Sequence, residues 1–188
     1  MVCRRGLPRL FRRLASTCLI FIMVAAPGLG SGRLAAASFA EGLAAFDAGD
    51  YRAAYNHWRP LAEAGNPEAQ VALAGLLESG GPGVGRDLRA AADWYRKAAL
   101  AGDTVAQMNL GQFYSEGRGV PQDRVCALAW FILAAEQGRT WAAMRRNGIA
   151  SLVSREDQLA AASLASRLRA AGQARVEIEP CSGVPAEE

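Results

Sequence analysis

A fixed period near 36 residues constrains this chain more than any other feature. Trp94 and Trp130 are 36 residues apart, as are Gly102 and Gly138, and Gly65 lies 37 before Gly102. Two segments align along their length. AQVALAGLLESG (69–80) corresponds to AQMNLGQFYSEG (106–117), and DLRAAADWYRKAALAG (87–102) corresponds to DRVCALAWFILAAEQG (123–138). A unit of this size cannot bury its own apolar face, so repetition at such a period specifies supersecondary units stacked side by side.

Each unit reads as two helices. In the first, Ala106, Leu110, Phe113 and Tyr114 recur at helical spacing, with Gln107, Asn109 and Gln112 elsewhere on the wheel. In the second, Ala127, Trp130, Phe131 and Ala134 do the same. Punctuation agrees. Asp50, Asn66, Asp87, Asp103 and Asp123 stand where a short side chain accepts from orphan amides at a helix start, and Pro67 follows Asn66 at the first helical position. Gly65, Gly102, Gly138 and Gly172 stand where left-handed C-terminal caps belong. Pro60 predicts a kink within its helix. Alanine is dense at the apolar positions, which lets neighbouring backbones approach closely.

The residues that carry the period resemble the SEL-one-like repeat (SLR) family, relatives of tetratricopeptide repeats. The match is nearly complete over 106–138, through Ala106, Leu110, Gly111, Tyr114, Gly117, Gly119, Val120, Asp123, Ala127, Trp130, Ala134 and Gly138. The unit at 69–102 matches with a looser loop, Gly80–Gly85, and a divergent first hairpin spans about 38–65. The resemblance implies an all-α fold, a short right-handed α-solenoid of antiparallel helix hairpins over 38–172. It also implies adaptor or regulatory roles in which a concave helical face grips a protein or peptide. Asn109, Gln112 and Glu116 are the off-core positions of the best first helix and the candidates to line such a face. Family members associated with β-lactam binding and hydrolysis carry a cysteine pair in each repeat, and this chain does not.

The last unit departs from the pattern. Arg146 stands where Leu73 and Leu110 stand earlier, and Asn147 where Ala74 and Gly111 stand. Charge at a core position suits a terminal unit whose outer face meets water. Ser154, followed by Glu156 and Asp157, opens a final helix. Leu159, Ala162, Leu164, Ala165, Leu168 and Ala171 are its candidate packing face. Residues 173–188 read as a loose tail.

The first 37 residues read as an address. Met1 to Arg13 carries five arginines, the run LASTCLIFIMVAA (14–26) is apolar, and Pro27, Gly28 and Gly30 break it. Small residues then allow a cut after Ala37 or after Ala40, the layout of a secretory signal peptide. Thirteen apolar residues are short for a membrane span of about 20, so membrane contact is expected only through this segment where it stays uncleaved. The expected location is periplasmic or secreted. The segment holds six arginines and no acid. The whole chain is nominally +3, with 21 basic and 18 acidic residues, so without those six arginines the remainder carries −3. The basic balance therefore belongs to export, and nucleic acid is not an expected partner. After cleavage only Cys126 and Cys181 remain, and an oxidising compartment permits a bridge between them.

Little points to chemistry. A single histidine, His57, excludes centres that need two. Asp87, Asp93 and Glu116 offer a weak carboxylate pairing, and Gly80–Gly85 lacks the Lys-Ser/Thr ending of a phosphate loop. No cofactor or metal is expected. Trp58, Trp94 and Trp130 read as hairpin core. Trp141 falls outside their period and is the candidate exposed ring, for a peptide or for cell-wall glycan. Arg139, Arg145 and Arg146 form a basic patch near the array's end.

Overall fold

The computed structural model describes residues 30–174, with side chains described from 39 to 173. Among the described residues there are eight helices and no strand: α1 (Gly30–Asp47), α2 (Tyr51–Glu63), α3 (Pro67–Ser79), α4 (Leu88–Leu100), α5 (Thr104–Glu116), α6 (Arg124–Glu136), α7 (Thr140–Ala150) and α8 (Arg155–Ala174). Each of α1 to α6 packs on the next in sequence, which gives a row of antiparallel hairpins. The readings of 1–29 and of 175–188 lie outside the described residues, Cys181 among them.

The predicted punctuation is realised at nearly every joint. The Asp50, Asn66, Asp87, Asp103 and Asp123 side chains each accept from the backbone N–H three residues on, at 2.7–2.9 Å. The α4 and α6 turns close on Gly102 and Gly138, at φ +93° and +81°. Helix α2 runs continuously through Pro60. Gly172 is a correction. It lies inside α8, and a Cβ there would sit 2.2 Å from the Leu100 carbonyl oxygen. It is a close-approach glycine between α8 and the end of α4, where any side chain would collide with backbone.

The core follows the predicted apolar faces. Ala106, Leu110, Phe113, Tyr114, Ala127, Trp130, Phe131 and Ala134 are all buried, as are Trp58 and Tyr95, while Trp94 is half-buried with the Lys97 ammonium over its ring. Gln107 is a second correction: it is 4% exposed, not on the open side. Its amide donates to the Ala99 carbonyl at 3.1 Å, and Gln70 donates to the Ala62 carbonyl at 3.0 Å one unit earlier. Each bond adds a second donor to a last-turn carbonyl of the preceding helix that already accepts from a backbone N–H, that of Gly65 at Ala62 and that of Gly102 at Ala99. The glutamine is thus a repeated inter-unit clamp.

Helix α8 is the irregular element. It packs on α6 and, more lightly, on α4, rather than closing a hairpin on α7. Its buried face is Ala161, Leu164, Ala165, Leu168 and Ala171. Leu164, Ala165, Leu168 and Ala171 stand as expected. Leu159, at 65% exposure, and Ala162 face outward, because the contact stripe steps through 161, 164–165, 168 and 171 and both fall off it. Ser154 caps α8 as expected: its hydroxyl accepts from the Asp157 N–H at 3.0 Å, and the Asp157 carboxylate accepts from the Ser154 N–H in return. Covered by α5, α7 and α8, helix α6 buries Cys126, Leu128, Ala129 and Leu133 in addition to its predicted face.

Candidate functional site

The period that aligns the cores also aligns the open positions. Helix α5 leaves Val105, Asn109, Gln112 and Glu116 outside its buried face, spaced as one stripe along the helix. Thirty-six residues later, Trp141, Arg145, Gly148 and Leu152 hold the same register on α7 and just beyond it. Trp141 breaks the period of the core tryptophans but falls one repeat after Val105. The four sequence candidates Asn109, Gln112, Glu116 and Trp141 thus share one face of consecutive units.

Ion pairs and stacked rings join the stripe across repeats. The Arg145 guanidinium lies 5.4 Å from the Trp141 ring centre and 5.8 Å from that of Phe131, and its Nη2 is 3.8 Å from Glu116. Gln112 donates to the same Glu116 carboxylate at 2.9 Å. On its other side Glu116 meets Arg118 at 3.8 Å, and Arg118 donates to Glu78 of α3 at 2.7 Å while lying over Phe113. The Tyr95 hydroxyl donates to the second oxygen of Glu78 at 2.9 Å. Burial, with the Glu78 charge beside it, pushes the Tyr95 phenol well above its ordinary value, while Asn109 acts in the opposite direction. The phenol therefore stays a neutral donor and holds Glu78 as an anionic acceptor for Arg118.

This chain of contacts fixes α3, α4, α5 and α7 to one another and leaves one large ring in the open. Trp141 is 42% exposed, with Phe131 packed edge-on beneath it at 6.1 Å between centres. Met144, 67% exposed, is the next open apolar side chain on α7. An exposed aromatic backed by a buried ring, with a guanidinium and a carboxylate beside it, has the makeup of a protein-recognition surface.

Glu78 and Arg118 were not candidates from sequence. Arg118 and Glu78 are 40 residues apart, and only the stacking of units brings them together. Arg145 had a legible signal, because it aligns with Asn109 one period earlier. The expected basic patch is divided: Arg145 is stacked and paired with Glu116, Arg146 donates to Asn147, and Arg139 stands at the start of α7 without a side-chain cap bond. The weak carboxylate pairing also resolves into separate tasks. Asp87 caps α4, Asp93 pairs with Arg96 at 2.7 Å, and Glu116 belongs to the stripe. His57 is half-exposed, with Nδ1 3.5 Å from Glu41. Gly80–Gly85 is a tight turn closed by the Gly81 and Val84 backbones. Among the described residues no cluster of His, Cys, Asp or Glu could hold a metal ion, and no helix is long and apolar enough to cross a membrane. Cys126 is buried and disulfide-bonded.

The Sel1 repeat matches residues 67–103 and 104–138, the two units whose helices are α3/α4 and α5/α6. A crystal structure of a Sel1 repeat protein from Oxalobacter formigenes is 35% identical, with a TM-score of 0.55, over 61% of this chain and 88% of that one. The chain belongs to the Sel1 repeat family. It is also similar, at 28% identity and a TM-score of 0.67, to a protective antigen present in uropathogenic Escherichia coli strains that displays an SLR fold. That match covers 82% of this chain and 35% of the antigen, so the chain spans about a third of its length. No curated protein sequence matches significantly. Sel1 repeat proteins are generally protein-interaction modules, and the repeat is typically a non-catalytic scaffold.

Proposed function

We propose that this Sel1 repeat protein is an exported adaptor or regulator of the cell envelope that binds a protein or peptide along the α5–α7 stripe. The observation that carries the reading is the register shared by Asn109, Gln112, Glu116, Arg145 and Trp141, which places an exposed indole beside a cross-repeat ion pair. Trp141 is the anchor. Ring burial at such a position dominates binding energy, and the paired charges around it select orientation more than affinity. Glu116 and Arg145 hold each other in place, so their geometry is set before a partner arrives. Export rests on the arginine-rich, apolar, small-residue order of the first 37 residues, with cleavage near Ala37 or Ala40.

A cell-wall glycan is the alternative occupant. A protein fits better, because one face of the Trp141 ring is taken by the Arg145 guanidinium, which leaves less open face for a sugar ring. Site-specific photocrosslinking in intact cells tests the choice. A crosslinker in place of Trp141 is expected to give one discrete protein adduct, and one in place of the more open Leu159 on α8 none. Adducts from both positions, or from neither, would count against the stripe. Sedimentation with purified peptidoglycan that is lost in Trp141→Ala would favour the glycan.

A further inference from the structure

The first hairpin distinguishes two cleavage positions that look alike in sequence. Ala35 with Ala37, and Ser38 with Ala40, both supply small residues at the third and first places before a cut. We infer that the mature chain begins at Ser38, with cleavage between Ala37 and Ser38 and not between Ala40 and Glu41. The inference rests on the export reading.

Phe39 is the deciding residue. It is half-buried against the core, and its ring centre lies 6.1 Å from that of Trp58. Its carbonyl accepts from Trp58 Nε1 at 3.3 Å. Trp58 is almost fully buried, and this carbonyl is the acceptor for its indole N–H. Phe46, two turns further along α1, packs on the same indole at 5.7 Å. Phe39 and Phe46 therefore grip Trp58 from one face of one helix. Between them Gly42 lets the indole lie against the helix, since a Cβ there would fall 2.4 Å from Trp58 Nε1. The α1–α2 seam is built around this aromatic.

A cut before Glu41 removes both the ring and the carbonyl of Phe39. The Trp58 indole then loses both its acceptor and a ring that packs on it, and apolar surface returns to water. A cut before Ser38 keeps Phe39 and leaves serine, a favoured capping residue, directly ahead of it. Helix α1 then begins at Phe39 with its contacts to Trp58 complete. The peptidase reads an extended chain, so the fold acts on the product: only the longer product retains an intact first hairpin.

The test expresses the full chain, Met1–Glu188, in bacteria and sequences the N-terminus of the protein released from the periplasm. A start at Ser38 is expected. A start at Glu41 would overturn the inference and leave export standing, whereas an intact Met1 would overturn both. In a second arm, chains made to begin at Ser38 and at Glu41 are melted side by side. The shorter chain is expected to melt lower by about 5 °C, and Phe39→Ala in the longer chain should reproduce most of that shift. Equal melting temperatures would remove the physical basis of the inference.

Discussion

The α5/α6 and α7/α8 hairpins derive from the same repeat and end differently. In the first, Asp103 caps α5, Leu110 fills the seam, and Gly111 lets the Phe131 ring approach to where a Cβ would be 2.9 Å away. In the second the corresponding residues are Arg139, Arg146 and Asn147. Arg139 makes no side-chain cap bond, and Arg146 and Asn147 hydrogen-bond to each other. Helix α7 buries only Ala142, which aligns with Ala106. With no apolar seam to close on, α8 takes its own alanine- and leucine-lined face to α6 and α4. These three differences fall where the first unit is capped and closed. The side left uncovered on α7 is where Trp141 and Met144 meet solvent.

The largest effect that would test this contrast lies in the closed hairpin. Trp130→Ala, at a fully buried site, is expected to cost about 3–5 kcal/mol, whereas Met144→Ala should stay within about 0.5 kcal/mol. Urea unfolding of the two variants measures both, and comparable losses would mean that α7 is covered in solution. A smaller effect is expected at the seat of α8. Gly172→Ala places a methyl against the Leu100 carbonyl and should cost about 1–3 kcal/mol. Hydrogen exchange should show that loss concentrated in α8, with α3 and α5 still protected. Uniform loss along the chain would make α8 part of the repeat core instead of an appended brace. The smallest effect concerns the missing cap. Arg139→Asp is expected to stabilise by about 0.5–1 kcal/mol, by supplying the acceptor that Asp103 gives α5 and a favourable charge at the helix start. A melting temperature that does not rise would show that the start of α7 is held by something other than capping.

Most of the helical architecture was legible because it is local and repeated. Five caps, the closing glycines and the apolar faces of α5 and α6 each depend on residues within a turn or two, and the period shows them more than once. The misreadings have a common cause. Gln107 is polar by composition, yet buried because its amide reaches across to a carbonyl of the preceding helix. Gly172 is a helix-ending residue type, yet interior because Leu100 of α4 comes within reach of its Cα. Leu159 and Ala162 suit an apolar face, but which face is apolar depends on where α8 lies. Each turns on a neighbour distant in sequence.

The candidate site divides along the same line. Asn109, Gln112, Glu116 and Trp141 could be named from helical phase and repeat register alone. Glu78 and Arg118 could not, since a pair 40 residues apart leaves no mark on either segment. By itself the sequence determined a repeated helical hairpin, its caps, its spacing and an address-like N-terminal segment, because those are written in short-range patterns of charge, polarity and shape. Tertiary structure alone decided that the last hairpin opens, that Phe39 seats against Trp58, and that a tyrosine, two carboxylates and two arginines form one line across the units. The physical reason is that stacking creates contacts between repeats, and the strength of a buried donor, a close carbonyl or an ion pair depends on what the neighbouring unit places beside it.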